Sequence, residues 1–166
     1  MTAVEYPEGF RRVSAALAER GHTHAPRWLE VAARTSQEAA DALGVGVGQI
    51  AKSVIFRRKS DDVPVLVVTS GDKRVDEKKV AALTAPAGTG GLGRADADYV
   101  KAKTGFSIGG VSPLAHATAP VTLIDRELFR FELIWAAAGH PNGVFPATPQ
   151  QLVELTGAPV ADVVQA

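Results

Sequence analysis

A chain of 166 residues with 46% hydrophobic and 22% charged side chains has the size and composition of one globular domain, which excludes wholesale disorder. The lack of cysteine excludes disulfide scaffolds, thiolate metal sites and cysteine nucleophiles, and the lack of an apolar run of about 18 residues excludes a membrane-spanning helix. Eighteen basic side chains balance eighteen acidic ones, so a dedicated non-specific nucleic-acid binder is not indicated.

The charge is unevenly spread. Between Lys52 and Lys79 there are eight basic and five acidic residues, whereas Asp125 to Ala166 holds two basic and five acidic ones. One side is therefore either mildly attractive to an anion such as RNA phosphate or an ordinary solvated face. The first residues, Met1 to Glu8, are acidic and carry no apolar core of a signal peptide, so a cytoplasmic protein is expected.

In chain order, Phe10, Val13 and Leu17 recur at helical spacing, with Gly21 as the stop. Gly21 to Pro26 reads as a loop and Arg27 to Val31 as a short strand. Thr35-Ser36-Gln37-Glu38 has the pattern of a capping box that opens a helix through Leu43, ended by Gly44. Ile50 to Arg57 is rich in apolar and β-branched residues. Pro64 to Ser70 is a near-continuous apolar run, which suits a strand buried on both faces. Arg58 to Val63 then becomes a polar hairpin connection. Asp76 caps a helix through about Leu83, and Asp96 caps a short one ending at Thr104-Gly105. Between them lies Gly88-Thr89-Gly90-Gly91-Leu92-Gly93. It lacks the Gly-Lys-Ser/Thr ending of a phosphate loop and reads as a flexible connector. Val121 to Ile124 and Glu132 to Ala138 are strands, Gly139 to Gly143 is a tight turn, and Thr148-Pro149 opens a last helix that ends at Gly157. Strands and helices alternate too irregularly for a doubly wound sheet. The expected class is α+β, one domain with a mixed, curved sheet.

Few residues suggest chemistry. Alternation along a strand puts Lys52 on one face with Ile50, Val54 and Phe56. A lysine amid apolar neighbours either finds a partner and acquires a lowered pKa, or extends its amine to water. Gly109-Gly110-Val111-Ser112-Pro113 follows a short apolar stretch. Its amides are suited either to a carbonyl oxygen or to a plain turn. His22, His24, His116 and His140 have no ligand-like spacing, and no metal or cofactor is expected. Ser53 and Ser112 lack the surroundings of a nucleophile elbow.

Taken together, Ile50-Ala51-Lys52-Ser53-Val54-Ile55-Phe56, Asp76-Glu77-Lys78-Lys79-Val80, Thr104 to Pro113 and the glycine turn at Gly139, in that order, closely resemble the YbaK/prolyl-tRNA-synthetase-associated domain family. The helix from Thr35 to Gly44 fits the same pattern. The resemblance runs over roughly residues 25–160. It implies that residues 25–166 form the editing domain, with residues 1–24 an N-terminal helix and loop of the same domain. The implied fold is a barrel-like mixed sheet surrounded by helices. The implied activity is hydrolysis of the ester between a wrong amino acid and the 3′-terminal adenosine of tRNA.

The resemblance places the catalytic lysine at Lys52 and the glycine loop at Gly109 and Gly110. Together with the apolar neighbours of Lys52, it points to substrate contacts at Trp28, Ser53, Phe106, Ser112 and His140, while the basic stretch is expected to supply weak, salt-dependent tRNA contacts through a few of Arg57, Arg58, Lys59, Lys73 and Arg74. The partners implied are mischarged tRNA and prolyl-tRNA synthetase, with no DNA, no membrane and no cofactor. The cysteinyl-tRNA(Pro) deacylase branch carries a Ser-Gly-Gly turn with a nearby aspartate. Here Ala137 to Phe145 has none, and the turn is more similar to ProX-type branches, which clear alanyl or similarly small groups. A cysteinyl-tRNA(Pro) deacylase and a non-catalytic tRNA- or partner-binding module on the same fold are the alternative expectations.

Overall fold

The computed structural model describes residues 6–166. Helix α1 (Glu8–Glu19) buries the expected stripe of Phe10, Val13 and Leu17, and Gly21 at its end has a left-handed φ of 69°. Strand β1 is only Arg27–Trp28, shorter than the five residues expected. Helix α2 (Ser36–Leu43) starts where Thr35 accepts the Glu38 amide and stops at left-handed Gly44. Strands β2 (Ile50–Arg58) and β3 (Pro64–Ser70) pair antiparallel, from Ala51 opposite Ser70 to Arg57 opposite Pro64. All seven residues of β3 are buried. Leu66 and Val68 enter the main core with α1, while Val65 and Val67 enter a second core with Phe56, Val80 and Val163. The apolar run needed two covered faces, and it has them.

Helix α3 (Glu77–Thr84) is capped by Asp76, and α4 (Ala97–Thr104) by Asp96. The glycine-rich segment between them corrects the sequence reading. Leu92–Arg94 forms strand β4, antiparallel to Phe56–Arg58 of β2. A backbone bond from the Lys59 amide to Gly91 extends the ladder. The glycines bend the chain so that three residues can pair, a long-range outcome that local composition does not report. Strands β5 (Val121–Asp125), β6 (Ile134–Ala137) and β7 (Gly143–Ala147), helix α5 (Pro149–Thr156) and strand β8 (Val160–Ala161) complete the chain. The eight-stranded mixed sheet has the order β1-β7-β6-β2-β3-β5-β8, with β4 also on β2. No helix among the described residues is long and apolar enough to cross a membrane.

The outer edge of β2 positions the site. One edge is paired with β3 over its length. On the other, β6 pairs in parallel with Ile50 and Ala51, and β4 takes over only at Phe56. Lys52 to Ile55 lie between the two.

Behind this edge, the segment after α4 folds back on itself. The half-buried His116 ring bonds through Nε2 to the Ser112 carbonyl and lies edge-on to Phe106 at 5.5 Å. Burial pulls its pKa below the usual 6.5. The Ser112 bond opposes this, and the charge of Arg12 adds to the lowering. The folded histidine therefore binds its proton less readily than the unfolded one. Stability is full above the ordinary histidine range and falls as pH drops through about 6.5. His140 is shifted in the same direction. Urea midpoints are expected to fall between pH 7.5 and 5.5, and to fall less in a His116→Phe variant. An unchanged slope in that variant would place the acid sensitivity elsewhere.

Candidate active site

The interrupted edge opens a cavity of about 440 Å³. Lys52, Ser53, Val54 and Ile55 of β2 form one wall, and Trp135 to Ala137 of β6 with Gly143 and Val144 of β7 form another. The start of α2 contributes Ala33 to Ser36 and Ala39. The loop after α4 contributes Ile108, Gly109 and Val111. The lining is mostly aliphatic. Its polar points are Lys52, Ser53, Arg34 and the short residues at the α2 cap.

Lys52 is half-buried, and its Nζ donates to the Lys73 carbonyl at 2.6 Å. Burial lowers its pKa most. The charge of Arg74 lowers it further, and Asp72 opposes both. The expected apolar face holds for Val54 and Phe56, which enter the second core. Lys52, opposite Thr69 near the end of the hairpin, keeps its stem against the cavity and turns its amine to a backbone carbonyl. One bond to Lys73 leaves an ammonium two further donors.

Ser53 lines the cavity, and its Oγ is buried with no hydrogen-bond partner among the described residues. A buried hydroxyl without a partner costs about 1–3 kcal/mol relative to a bonded one.

Gly109 sits at φ 95°, a backbone shape that other residues resist. Its amide donates to none of the described residues, and it lines the cavity. Gly110 differs. Its amide donates to the Ser107 carbonyl at 3.0 Å, so it is spent within the turn and corrects the expectation of two free amides. A Cβ at Gly110 would come within 2.7 Å of the His140 Cα. Gly110 is the point where the two loops touch.

Other expected contacts sit outside the cavity. Phe106 is 1% exposed, in the main core, with the Arg12 guanidinium 4.4 Å above its ring. Ser112 is fully buried and its Oγ accepts the Leu114 amide. Neither can act as an accessible wall. The Trp28 ring stacks on His140 at 4.9 Å, and neither residue lines the cavity, which Pro141 and Gly143 reach. His140 Nδ1 accepts the Asn142 amide, which leaves the ring proton on Nε2. Burial, then the charge of Arg34, lowers the pKa of this histidine.

The basic residues do not form one patch. Arg57 pairs with Asp62, and Arg58 pairs with Asp61 through two bonds and donates to the Thr84 carbonyl. Lys59 lies at the same end, its stem beside Gly93. Lys73 and Arg74 lie past the other end of the β2–β3 hairpin. Six residues of strand at about 3.3 Å each put roughly 20 Å between the groups. Lys73 and Arg74 flank Lys52. They make no ion pair with any described residue, and neither does Arg34.

Sequence reasoning missed Arg34, Trp135 and Ile108. Arg34 precedes a helix cap, a place where side chains readily face a neighbouring cleft. Trp135 falls in an apolar strand and looks like core. Ile108 is 59% exposed beside Gly109, and that exposure is invisible without the loop. Among the described residues, no group of three or more histidines or carboxylates is placed to hold a metal ion.

The two glycines differ in what they tolerate. Gly109→Ala adds a methyl with room around it, 3.7 Å from Pro141, and is expected to cost about 1–2 kcal/mol for its left-handed backbone. Gly110→Ala meets His140 backbone atoms that no rotamer can move, and is expected to cost more. Urea denaturation of the two variants checks the order, and a Gly110→Ala protein as stable as Gly109→Ala would contradict the described loop contact.

Residues 30–155 match the family described as the aminoacyl-tRNA editing domain. The uncharacterized protein YwhH of Bacillus subtilis (strain 168) is 32% identical, over 81% of this chain and 87% of that one. A solved structure whose proposed role is that of a trans-editing enzyme for prolyl tRNA synthetase has a TM-score of 0.87 at 39% identity. It covers 98% of this chain and 100% of that chain. The hypothetical protein APE2540 has a TM-score of 0.84 at 32% identity, over 93% and 99% of the two chains.

Proposed function

Because the chain belongs to the aminoacyl-tRNA editing domain family, we propose that it hydrolyses mischarged tRNA in trans, releasing alanine or a similarly small amino acid from tRNA(Pro). The observation that carries this reading is the cavity along the open edge of β2, where Lys52, Ser53 and Gly109 meet among aliphatic walls. A small acyl group suits walls built from Ala33, Ala39, Ala136 and Ala137. The relative with a proposed role toward prolyl tRNA synthetase supports the choice of tRNA. Editing answers a physical limit, since one methylene is worth only about 1–3 kcal/mol in a binding pocket.

The chemistry needs no strong nucleophile, because an aminoacyl ester is labile. The ester carbonyl oxygen accepts from the Gly109 amide, which stabilises the charge that develops there. The Lys52 ammonium, anchored on Lys73, uses its remaining donors on the terminal phosphate or ribose. Water, oriented by the neighbouring ribose hydroxyl, adds to the carbonyl carbon and gives up a proton. The tetrahedral adduct collapses by breaking the bond to the ribose oxygen, which takes up a proton. With water as the nucleophile, the free amino acid is released directly. Positioning supplies most of the rate.

Deacylation of alanyl-, cysteinyl- and prolyl-tRNA(Pro) tests the reading. Alanyl-tRNA(Pro) is expected to be cleared fastest. Faster clearance of the cysteinyl ester would transfer the assignment to that substrate, and no hydrolysis of any ester would favour a non-catalytic binding module. Lys52→Ala removes a charge-assisted contact of about 1.5–3 kcal/mol, which is roughly a 10- to 150-fold loss in kcat/KM. Its stability is expected to stay within about 1 kcal/mol of the parent, because Lys73 is a partly exposed residue whose carbonyl can bond water in place of the lost amine. A folded Lys52→Ala protein with full activity would refute the assigned role.

The proposed tRNA contacts follow the ion pairs. Lys73 and Arg74, with Arg34, carry the acceptor end past Lys52. Lys59 is left for a more distant phosphate, and Arg57 and Arg58 are held by their aspartates. Charge reversal at Arg74 should reduce the slope of log affinity against log salt by about 0.7 for each single-strand phosphate that is no longer neutralised. It should spare hydrolysis of a minimal aminoacyl-adenosine ester. Reversal at Arg57 should change the slope less, and equal changes at both positions would contradict this orientation.

A further inference from the structure

The match to the editing family begins at residue 30, after α1 (Glu8–Glu19). Yet α1 touches both loops of the candidate site. Arg12 Nε donates to the Ala115 carbonyl and Nη2 to the Thr104 carbonyl, each at 2.8 Å. These carbonyls bracket residues 105–114, the segment that contains Gly109. Between them the guanidinium lies over Phe106, 4.4 Å from the ring centroid. Gly105, at φ 81°, leaves room for it, since a Cβ there would stand 2.6 Å from Nη2. Ala115 is itself held at φ 64°, a left-handed shape rare outside glycine, and the bond to Arg12 holds its carbonyl. One turn earlier, Gly9 meets Gly139 backbone to backbone, at the start of the turn that carries His140. The two braced loops then meet at Gly110 and His140.

We infer that Arg12 is a positioning residue for deacylation: its fork across Thr104 and Ala115 fixes the 105–115 loop so that Gly109, whose amide has no partner among the described residues, stays in place on the cavity wall. The inference rests on the proposed hydrolysis for its kinetic readout only. Arg12 does not reach the cavity, so it acts through the loop. A loop whose amide must meet an oxyanion is sensitive to small displacements, and a shift of about 1 Å can cost on the order of 100-fold in rate. Loosening the loop lowers kcat while substrate binding by the β2 wall persists, so KM is expected to stay close to that of the parent.

Three variants test this. Arg12→Met keeps an aliphatic stem over Phe106 and loses both carbonyl bonds. Arg12→Lys keeps a single cationic donor without the fork. Arg20→Met is the control, because Arg20 also donates to a carbonyl, that of Leu155, but does not touch the two loops. The readouts are kcat and KM on alanyl-tRNA(Pro), the urea midpoint, and hydrogen exchange of the Gly110 amide, which is bonded to Ser107. Arg12→Met is expected to lose roughly 10- to 100-fold in kcat at near-parental KM, with Arg12→Lys intermediate. The Gly110 amide should exchange faster in both, while Arg20→Met loses stability but keeps kcat and Gly110 exchange. Parental kcat in Arg12→Met, or a kcat loss in Arg20→Met of the same size at equal loss of stability, would overturn the inference. If Arg12→Met does not fold, Arg12→Lys decides by the same criteria. If the parent protein hydrolyses no aminoacyl ester, the deacylase reading fails. Gly110 exchange then decides alone: faster in the Arg12 variants only supports the positioning role, and unchanged exchange overturns it.

Discussion

Strand β2 is paired along the whole of one edge and only at the two ends of the other. Backbone amides and carbonyls must find partners, and a strand left open over Lys52 to Ile55 keeps some of them facing a cavity instead of a neighbouring strand. Two short strands arriving from opposite directions create the gap. β6 runs parallel and leaves at Ala137, and β4 runs antiparallel and arrives only at Phe56. The buried β3 on the other edge holds β2 firmly in place. A rigid strand with one open stretch is a suitable foundation for a site, because its side chains are positioned by a ladder rather than by a mobile loop.

The electrostatics follow from the same hairpin. A chain with no net charge still leaves cations without ion pairs among the described residues at one end of the hairpin, because the aspartates that neutralise Arg57 and Arg58 sit in the far connection, and Asp72 is engaged by Arg130. Lys73, Arg74 and Arg34 remain around the Lys52 end. Lys52 is held between opposing influences, since burial and Arg74 favour loss of its proton while Asp72 favours retention. Its bond to the Lys73 carbonyl favours the donor form and fixes the direction of the amine.

Much of this was legible in the sequence, because helix caps are local chemistry. Thr35, Asp76, Asp96 and Thr148 each accept an amide of the first turn, as their positions imply. The buried run of β3 and the lysine strand were equally plain, since side-chain periodicity is a property of neighbours in the chain. What escaped depends on distant partners. β4 and β8 are three and two residues long and exist only through the strands they join. Phe106 and Ser112 sit in the glycine-loop motif but face the core, because Arg12 and His116 close over them. Basic residues close in sequence part company when a hairpin places them at opposite ends. Trp135 and Arg34 reach the cavity only because strand order brings β6 and the start of α2 beside β2.

The central claim is that the open edge of β2 and the Gly109 loop form one binding site for an aminoacyl ester of adenosine. The most direct measurement is an NMR titration of the backbone amides with a non-hydrolysable analogue in which an amide replaces the ester between alanine and the ribose of adenosine. Saturable shifts centred on Ser53 to Ile55 and Gly109 to Val111, with weaker ones at Arg34, are the predicted result. Shifts confined to the Arg57–Lys59 end, or saturable binding that leaves Ser53 and Gly109 unmoved, would contradict the account.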